Sequence, residues 1–222
     1  MTFSDRQDAG RQLARALAAY RDQDVVVLGL PRGGVVVAAE VAQALDAPLD
    51  VIVVRKLGLP GHAELAMGAV GEDDVRVVND EVIGAHQVST AALGSVEDAE
   101  RERLRERASR LRAQHPRVQL DGRVAVVVDD GIATGATAAV ACQVARAHGA
   151  REVVLAVPVT LPGSVRHVRE VADSVVSLQQ PDTFAVGQSY ADFGEVADAE
   201  VTDLLAASRE RSGRHGPEGD TP

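Results

Sequence analysis

Two carboxylates side by side, Asp129 and Asp130, close an apolar run and precede a string of small and hydroxyl residues: the stretch Val124–Val140 reads VAVVVDDGIATGATAAV. Adjacent acids at the carboxyl end of a strand can accept hydrogen bonds from vicinal hydroxyls or hold a hydrated divalent cation. The loop Gly131–Thr137 lets backbone N–H groups approach a phosphate, and a helix starting at about Gly135 would add the partial positive charge of its N-terminus. A ribose phosphate carries both kinds of group. The pattern is neither G-x-G-x-x-G nor a P-loop with its Lys-Ser/Thr end, and small residues alone also make ordinary strand-to-helix turns. What sets this stretch apart is its order: buried strand, paired acids, then Ala133-Thr134-Gly135-Ala136-Thr137.

A second chemical stretch is Pro31-Arg32-Gly33-Gly34, between an apolar run and a helical one. Its glycines permit close approach to an anion, and Arg32 offers a fork of donors suited to phosphate oxygens. A third is the cation pair Arg55-Lys56, at the end of another apolar run and next to Leu57–Gly68 (LGLPGHAELAMG). With four of twelve residues Gly or Pro, that segment reads as a loop, and a mobile one would serve as a lid. Adjacent cations beside it suit a diphosphate leaving group, although a solvated Arg-Lys pair is the plainer reading. His62 and Glu64 are the titratable residues inside the loop, so Glu64 with Lys56 is the candidate for acid-base and leaving-group chemistry, although a lone His or Glu in a loop is usually just exposed.

These residues need elements to hold them. Apolar, β-branched runs at Asp24–Leu30, Asp50–Val54, Val124–Val128, Glu152–Val157 and Ser174–Leu178 predict strands buried on both faces. Helical spacing predicts helices over Asp5–Tyr20 (Ser4 and Gln7 forming a capping box), Val35–Leu45, Gly135–His148, Ser164–Val171 and Val196–Ala207. The alternation of strand and helix predicts an α/β fold: a doubly wound, mainly parallel sheet flanked by helices with right-handed crossovers. Residues 57–116 read as a small hood or insertion in a single domain spanning 1–208, followed by a disordered polar tail, 209–222. Within the insertion, Val75–Val78 predicts a strand paired with the segment before it, and Asp80–Leu93 a weak helix. Val96–His115 is a charged helix with acids early and arginines late, which suits the helix dipole. It can be a solvated helix on a domain edge or dimer surface, or it can send one or two of Arg101–Arg112 to a diphosphate. Phe184, Tyr190 and Phe193 can stack on a flat base or anchor a C-terminal segment that folds back.

Composition narrows the function. The formal net charge of −10 argues against non-specific nucleic-acid binding, while leaving room for a local basic pocket. Aromatic residues are 2%, so a core must be built from Val, Ala and Leu. The single Cys142 excludes an internal disulfide, fits a reducing compartment, and by spacing is a buried small hydrophobe on the helix after the phosphate loop. No apolar run is long enough to span a membrane and no charged-then-apolar leader opens the chain, so a cytoplasmic location is expected. No His/Cys cluster has metal-ligand spacing, and no G-x-S-x-G elbow is present.

The stretches LGLPRGGVVVAAEVA, VVRKLGLPGHAELAMGAVGE, VVVDDGIATGAT and AVGQSYADFGEVADAEV, spread between Val27 and Val201, resemble the type I phosphoribosyltransferases, in particular a group of bacterial members of unsettled substrate. The resemblance implies that Asp129 and Asp130 bind the ribose hydroxyls of phosphoribosyl diphosphate (PRPP). It implies that Ala133, Thr134, Gly135, Ala136 and Thr137 hold the 5-phosphate. Arg32, Gly33 and Gly34 would hold the diphosphate, with Arg55 and Lys56 nearby. In this family the Arg32 loop often contains a non-proline cis peptide. Magnesium is implied as cofactor, held mainly by PRPP oxygens and water with no dedicated ligand cage. The implied partners are PRPP and a nitrogenous base, and a homodimer is expected. Enzymes for 6-oxopurines carry an acid where this chain has Ala133, and the Ala-Thr-Gly order is nearer the adenine type, so the acceptor base stays open. Two rivals to an enzyme remain: a PRPP-sensing regulator on the same fold, and a binding module whose chemistry belongs to a partner.

Overall fold

The computed structural model describes residues 2–164, 168–183 and 185–213, apart from the side chains of Ala63, Glu64 and Ser212. In chain order the elements are α1 (Arg6–Ala16), β1 (Val25–Gly29), α2 (Gly33–Leu45), β2 (Leu49–Val51), β3 (Val54–Leu59), β4 (His62–Gly71) and β5 (Arg76–Val78). They continue with α3 (Asp80–Ala85), α4 (Thr90–Gln114), β6 (Val124–Val128), α5 (Ala136–Ala147), β7 (Glu152–Val159), β8 (Ser174–Gln179) and α6 (Asp198–Gly213). Five strands pair in parallel in the order β2-β1-β6-β7-β8, with Val27 opposite Val126 and Val126 opposite Val154.

The valine runs explain this sheet. Every residue of β1 and β6 is buried, and alternate side chains enter two cores. Val25, Val27, Val124, Val126 and Val154 pack with α1, α2 and α6, whereas Val26, Leu28, Ala125, Val127 and Leu155 pack with α5. Helices thus cover both faces, as a parallel sheet requires. Cys142 lies in the α5 core, where burial pushes its thiol up to about 12, so it is a packing residue. No helix among the described residues is long and apolar enough to cross a membrane.

The insertion differs from expectation. Leu57–Gly68 is not a loop but most of an antiparallel sheet, β3-β4-β5, with the turn at Pro60-Gly61. The alternating Leu57 and Leu59, with Met67 and Val70, form a small core against Val82, Ile83, Leu93 and Val96, and this burial outweighs the Gly/Pro content. The expected pairing of Val75–Val78 with the preceding segment is present as β4–β5. The sheet rests on α5 and α4.

Other boundaries shift for local reasons. Asp5, not Ser4, caps α1, accepting from the Asp8 backbone N–H at 2.7 Å. The strand expected over Asp50–Val54 splits: β2 ends at Val51 and Val54 opens the second sheet. The helix expected over Asp80–Leu93 is broken after α3, and Ser89 caps α4 ahead of Val96. Of the helix expected over Ser164–Val171, residues 165–167 lie outside the described residues and Val168–Glu170 forms only a short 3-10 turn. α6 runs on to Gly213, because Val201, Leu205 and Ser208 keep one buried stripe; residues 209–213 of the expected tail are therefore helical, and 214–222 lie outside the described residues.

Candidate functional site

From β1 the sheet grows outward to β2, and from β6 it grows the other way through β7 to β8. The loops after β1 and β6 therefore part, and a crevice opens between them at the strand carboxyl ends, the usual ligand position in open α/β sheets. Both sequence-predicted loops occupy this point. They touch: a Cβ on Gly33 would stand 2.0 Å from Asp130 Oδ2, and one on Gly34 would stand 2.8 Å from Asp129 Cα. Only glycine permits that approach. The Leu30 N–H donates to the Val128 carbonyl at 2.9 Å, and the Pro31–Arg32 peptide is cis.

The loop after β6 is anchored on β7 at one end and opens into α5 at the other. Ile132 is pinned to β7 by bonds from its N–H to Val159 O and from Leu161 N–H to its own carbonyl, each 2.9 Å. Beyond that anchor Ala133 and Thr134 are exposed, Gly135 is the left-handed N-cap of α5 at φ 83°, and Ala136 and Thr137 open the helix. A side chain at Gly135 would meet the Ser164 carbonyl at 2.2 Å. The first N–H groups of α5 have no partner inside the helix, so they are directed at whatever sits over the loop.

At the crevice floor Asp129 Oδ1 accepts from the Asp130 N–H at 2.9 Å. Protein surrounds Asp129, though part of its surface meets solvent, and burial followed by the Asp130 charge raises its carboxyl above the usual range. Asp130 Oδ2 accepts from Arg6 Nε at 2.7 Å. Arg6 also donates to the Gly194 carbonyl at 2.7 Å and stacks over the Phe193 ring at 3.8 Å. The Tyr190 hydroxyl donates to the Asp130 carbonyl at 2.6 Å, and burial raises that phenol. Phe3, Tyr190 and Phe193 form a ring cluster, with centroids 5.4 and 4.8 Å apart along the row. Tyr190 is thus a packing anchor, Phe193 is 37% exposed at the rim, and Phe184 lies outside the described residues.

Arg32 faces a cleft of about 510 Å³ that Arg55 and Arg107 also line. Its guanidinium contacts the Glu195 carboxylate, and Arg55 Nε donates to Glu100 at 2.9 Å. Lys56 is next along β3, where strand alternation puts it on the other pleat face from Arg55. Glu64 lies on β4 with its side chain outside the described residues, and the His62 ring neighbours His86 at 6.5 Å. Within Arg101–Arg112, Arg101 pairs with Glu97 and Asp74 and Arg112 with Asp50 and Glu72, while Arg103, Arg107 and Arg110 turn to the cleft. Among the described residues no three His, Cys, Asp or Glu side chains gather as a metal cage.

Arg6 and Glu195 are the site residues that the motifs do not reveal. Arg6 is 124 residues from Asp130 and belongs to no pattern. One signal exists: a cation in the first turn of α1 opposes the helix dipole, which implies a carboxylate elsewhere.

Residues 5–192 match the family described as phosphoribosyl transferase domain. Rv0571c of Mycobacterium tuberculosis H37Rv, provisionally named a phosphoribosyl transferase, is 56% identical over 204 residues, 91% of this chain and 46% of its own length. MT0597 of strain CDC 1551, named likewise, matches with the same figures. The chain therefore spans about half the length of the curated relatives it matches. The crystal structure of TT1426 from Thermus thermophilus is similar at a TM-score of 0.79 and 46% identity, covering 93% of this chain and 99% of that one. With a match across most of its length, and with both loops at the sheet's switch point, the chain belongs to the phosphoribosyl transferase domain family.

Proposed function

We propose that this protein is a magnesium-dependent phosphoribosyltransferase that moves a 5-phosphoribosyl group from PRPP to a nitrogenous base and releases diphosphate. The contact between the Gly33-Gly34 turn and the Asp129-Asp130 pair carries this reading, because a diphosphate held at the first and ribose hydroxyls held at the second would lie within one sugar of each other. Ala133–Thr137 would hold the 5-phosphate through backbone N–H groups and the Thr134 and Thr137 hydroxyls. Asp129 and Asp130 would accept from the ribose hydroxyls, fixing the ring so that its anomeric carbon faces the base. Arg32 and Arg55 would offset charge gathering on the departing diphosphate, while the base nitrogen forms the new bond at that carbon. Lys56 and Glu64 stay in the proposal as basic and acidic side chains of the β3–β4 hairpin. The two hard carboxylates at the strand end fit a cation that keeps most of its water, and magnesium, when bound, would neutralise phosphate charge. We extend the proposal to a cytoplasmic homodimer.

A PRPP sensor is the second reading. It is favoured by Asp130 and Arg32 being engaged by the chain's own Arg6 and Glu195. Incubation with PRPP, magnesium and a panel of bases, with diphosphate release measured, separates the two. Base-dependent release is expected; binding without turnover on any base would favour the sensor, and no PRPP binding would remove both.

A further inference from the structure

Beside the diphosphate loop lies a row of α4 arginines that the sugar donor does not account for. Arg32 from the loop after β1, Arg55 from β3, and Arg103, Arg107 and Arg110 from α4 line one cleft of about 510 Å³, closed on its far side by α6. The three α4 residues are spaced i, i+4, i+7, so they form one stripe running roughly 10 Å along the helix axis. Such a stripe is longer than a diphosphate already seated on Arg32 would need.

The charge of the cleft is only partly offset, because its five arginines share four acids: Arg32 pairs with Glu195, Arg55 and Arg103 with Glu100, Arg107 with Asp198 and Arg110 with Glu106. Of these acids Glu106 and Asp198 line the cleft itself, while Glu100 and Glu195 pair from its margins. Arg107, between Arg103 and Arg110 in the stripe, has a side chain 29% exposed, with Asp198 3.4 Å away and itself 81% exposed. Burial disfavours its cation, the Asp198 charge favours it, and the neighbouring charges of Arg55 and Arg32 tip the balance against it. Holding like charges together in a part-buried cleft costs free energy that a multivalent anion would recover.

We propose that this cleft is a second polyanion site, continuous with the diphosphate loop, that binds a condensed phosphate chain longer than diphosphate, either free or carried on a nucleoside. The site shares Arg32 and Arg55 with the donor reading, and its α4 stripe would stand even if PRPP did not bind. Its arginine stripe recognises the spacing of linked phosphoryl groups, and α6 limits access to one end.

The test is calorimetric titration of the full chain with orthophosphate, diphosphate, tripolyphosphate and adenosine triphosphate. The wild type is compared with the triple variant Arg103→Gln, Arg107→Gln, Arg110→Gln. Tripolyphosphate is expected to bind at least tenfold more tightly than orthophosphate, and the variant to lose at least tenfold of that affinity while melting within a few degrees of the wild type. Ribose 5-phosphate, directed to Ala133–Thr137, should bind both proteins alike. Adenosine triphosphate binding more tightly than tripolyphosphate supports a nucleoside-borne ligand, and weaker binding supports a free chain. Equal affinity for orthophosphate and tripolyphosphate would overturn the proposal, as would an affinity for tripolyphosphate that survives the triple substitution. Should the triple variant not fold, the single Arg107→Gln takes its place, with the same loss expected in smaller measure. Failure of ribose 5-phosphate to bind the wild type would instead count against the donor reading alone.

Discussion

Asp130 is shared between two tasks. It is read as an acceptor for sugar hydroxyls, yet in the free protein it holds Arg6, which in turn holds Gly194 and Phe193. The pair is only 12% and 18% exposed, so removing one partner leaves a largely desolvated charge behind. Arg6→Ala is therefore expected to cost about 2 kcal/mol, or roughly 4–8 °C in melting temperature for a chain of this size. A double-mutant cycle with Asp130→Asn in urea unfolding should show strong coupling, and additive losses would mean that the pair matters little. Asp129 behaves in the opposite sense. Its carboxyl is raised by burial and by the Asp130 charge. A group raised in the folded state is penalised once the unfolded chain ionises, that is above the ordinary value of about 3.9, and the penalty fades as pH falls towards that value. Asp129→Asn keeps an oxygen for the Asp130 N–H and should therefore raise the melting temperature at pH 7 by about 2 °C or more, with no gain near pH 4. The same variant should lose PRPP binding. A lower melting temperature at pH 7 would refute the electrostatic assignment.

Between elements, the decisive joint is the meeting of the two loops. A methyl group at Gly33 would collide with Asp130 Oδ2 at 2.0 Å and Arg6 Nε at 2.6 Å, both side-chain atoms able to move. Gly33→Ala is thus expected to leave the fold in place but split the Arg6–Asp130 pair and weaken PRPP binding by at least tenfold, measured by calorimetry beside a melting curve. Unchanged affinity would mean that this turn does not face the donor. The β3–β4 hairpin makes a different point about elements. Its Gly and Pro residues suggest a mobile lid, but its apolar residues are consumed by packing against α3 and α4. A clue is present in the sequence, since Leu57 and Leu59 alternate just before Pro60-Gly61, a turn pair.

For the molecule as a whole, the question is what fastens the antiparallel sheet and α4 to the parallel core. Arg112 of α4 reaches Asp50 of β2 at 2.6 Å and Glu72, just past β4, at 3.1 Å, and donates to the Val51 carbonyl at 2.7 Å. Asp50 and Glu72 are only 3% and 5% exposed, and Asp50 also accepts from the Val118 N–H at 2.9 Å. One guanidinium thus ties three parts of the chain. Arg112→Met would leave two buried carboxylates without it, and a loss of about 3 kcal/mol or more is expected, roughly 6–12 °C in the melting temperature. A change under about 1 °C would show the junction to be held by apolar packing alone.

The sequence by itself determined the parallel sheet and the chemistry at its tips. Unbroken valine runs have no stable place except between two helical layers, and acids or glycines at their ends are local features that survive whatever the rest of the chain does. Strands β1, β6, β7 and β8, the Asp129-Asp130 pair and the Arg32 turn were all legible for that reason. Tertiary structure alone decided that Arg6 and Glu195 close on the site from opposite ends of the chain. It also decided that Arg55 joins the α4 arginines and that a Gly-rich stretch becomes a hairpin. Those outcomes depend on contacts between residues far apart in sequence. No periodicity records such contacts, because their free energy exists only once both surfaces have been brought together.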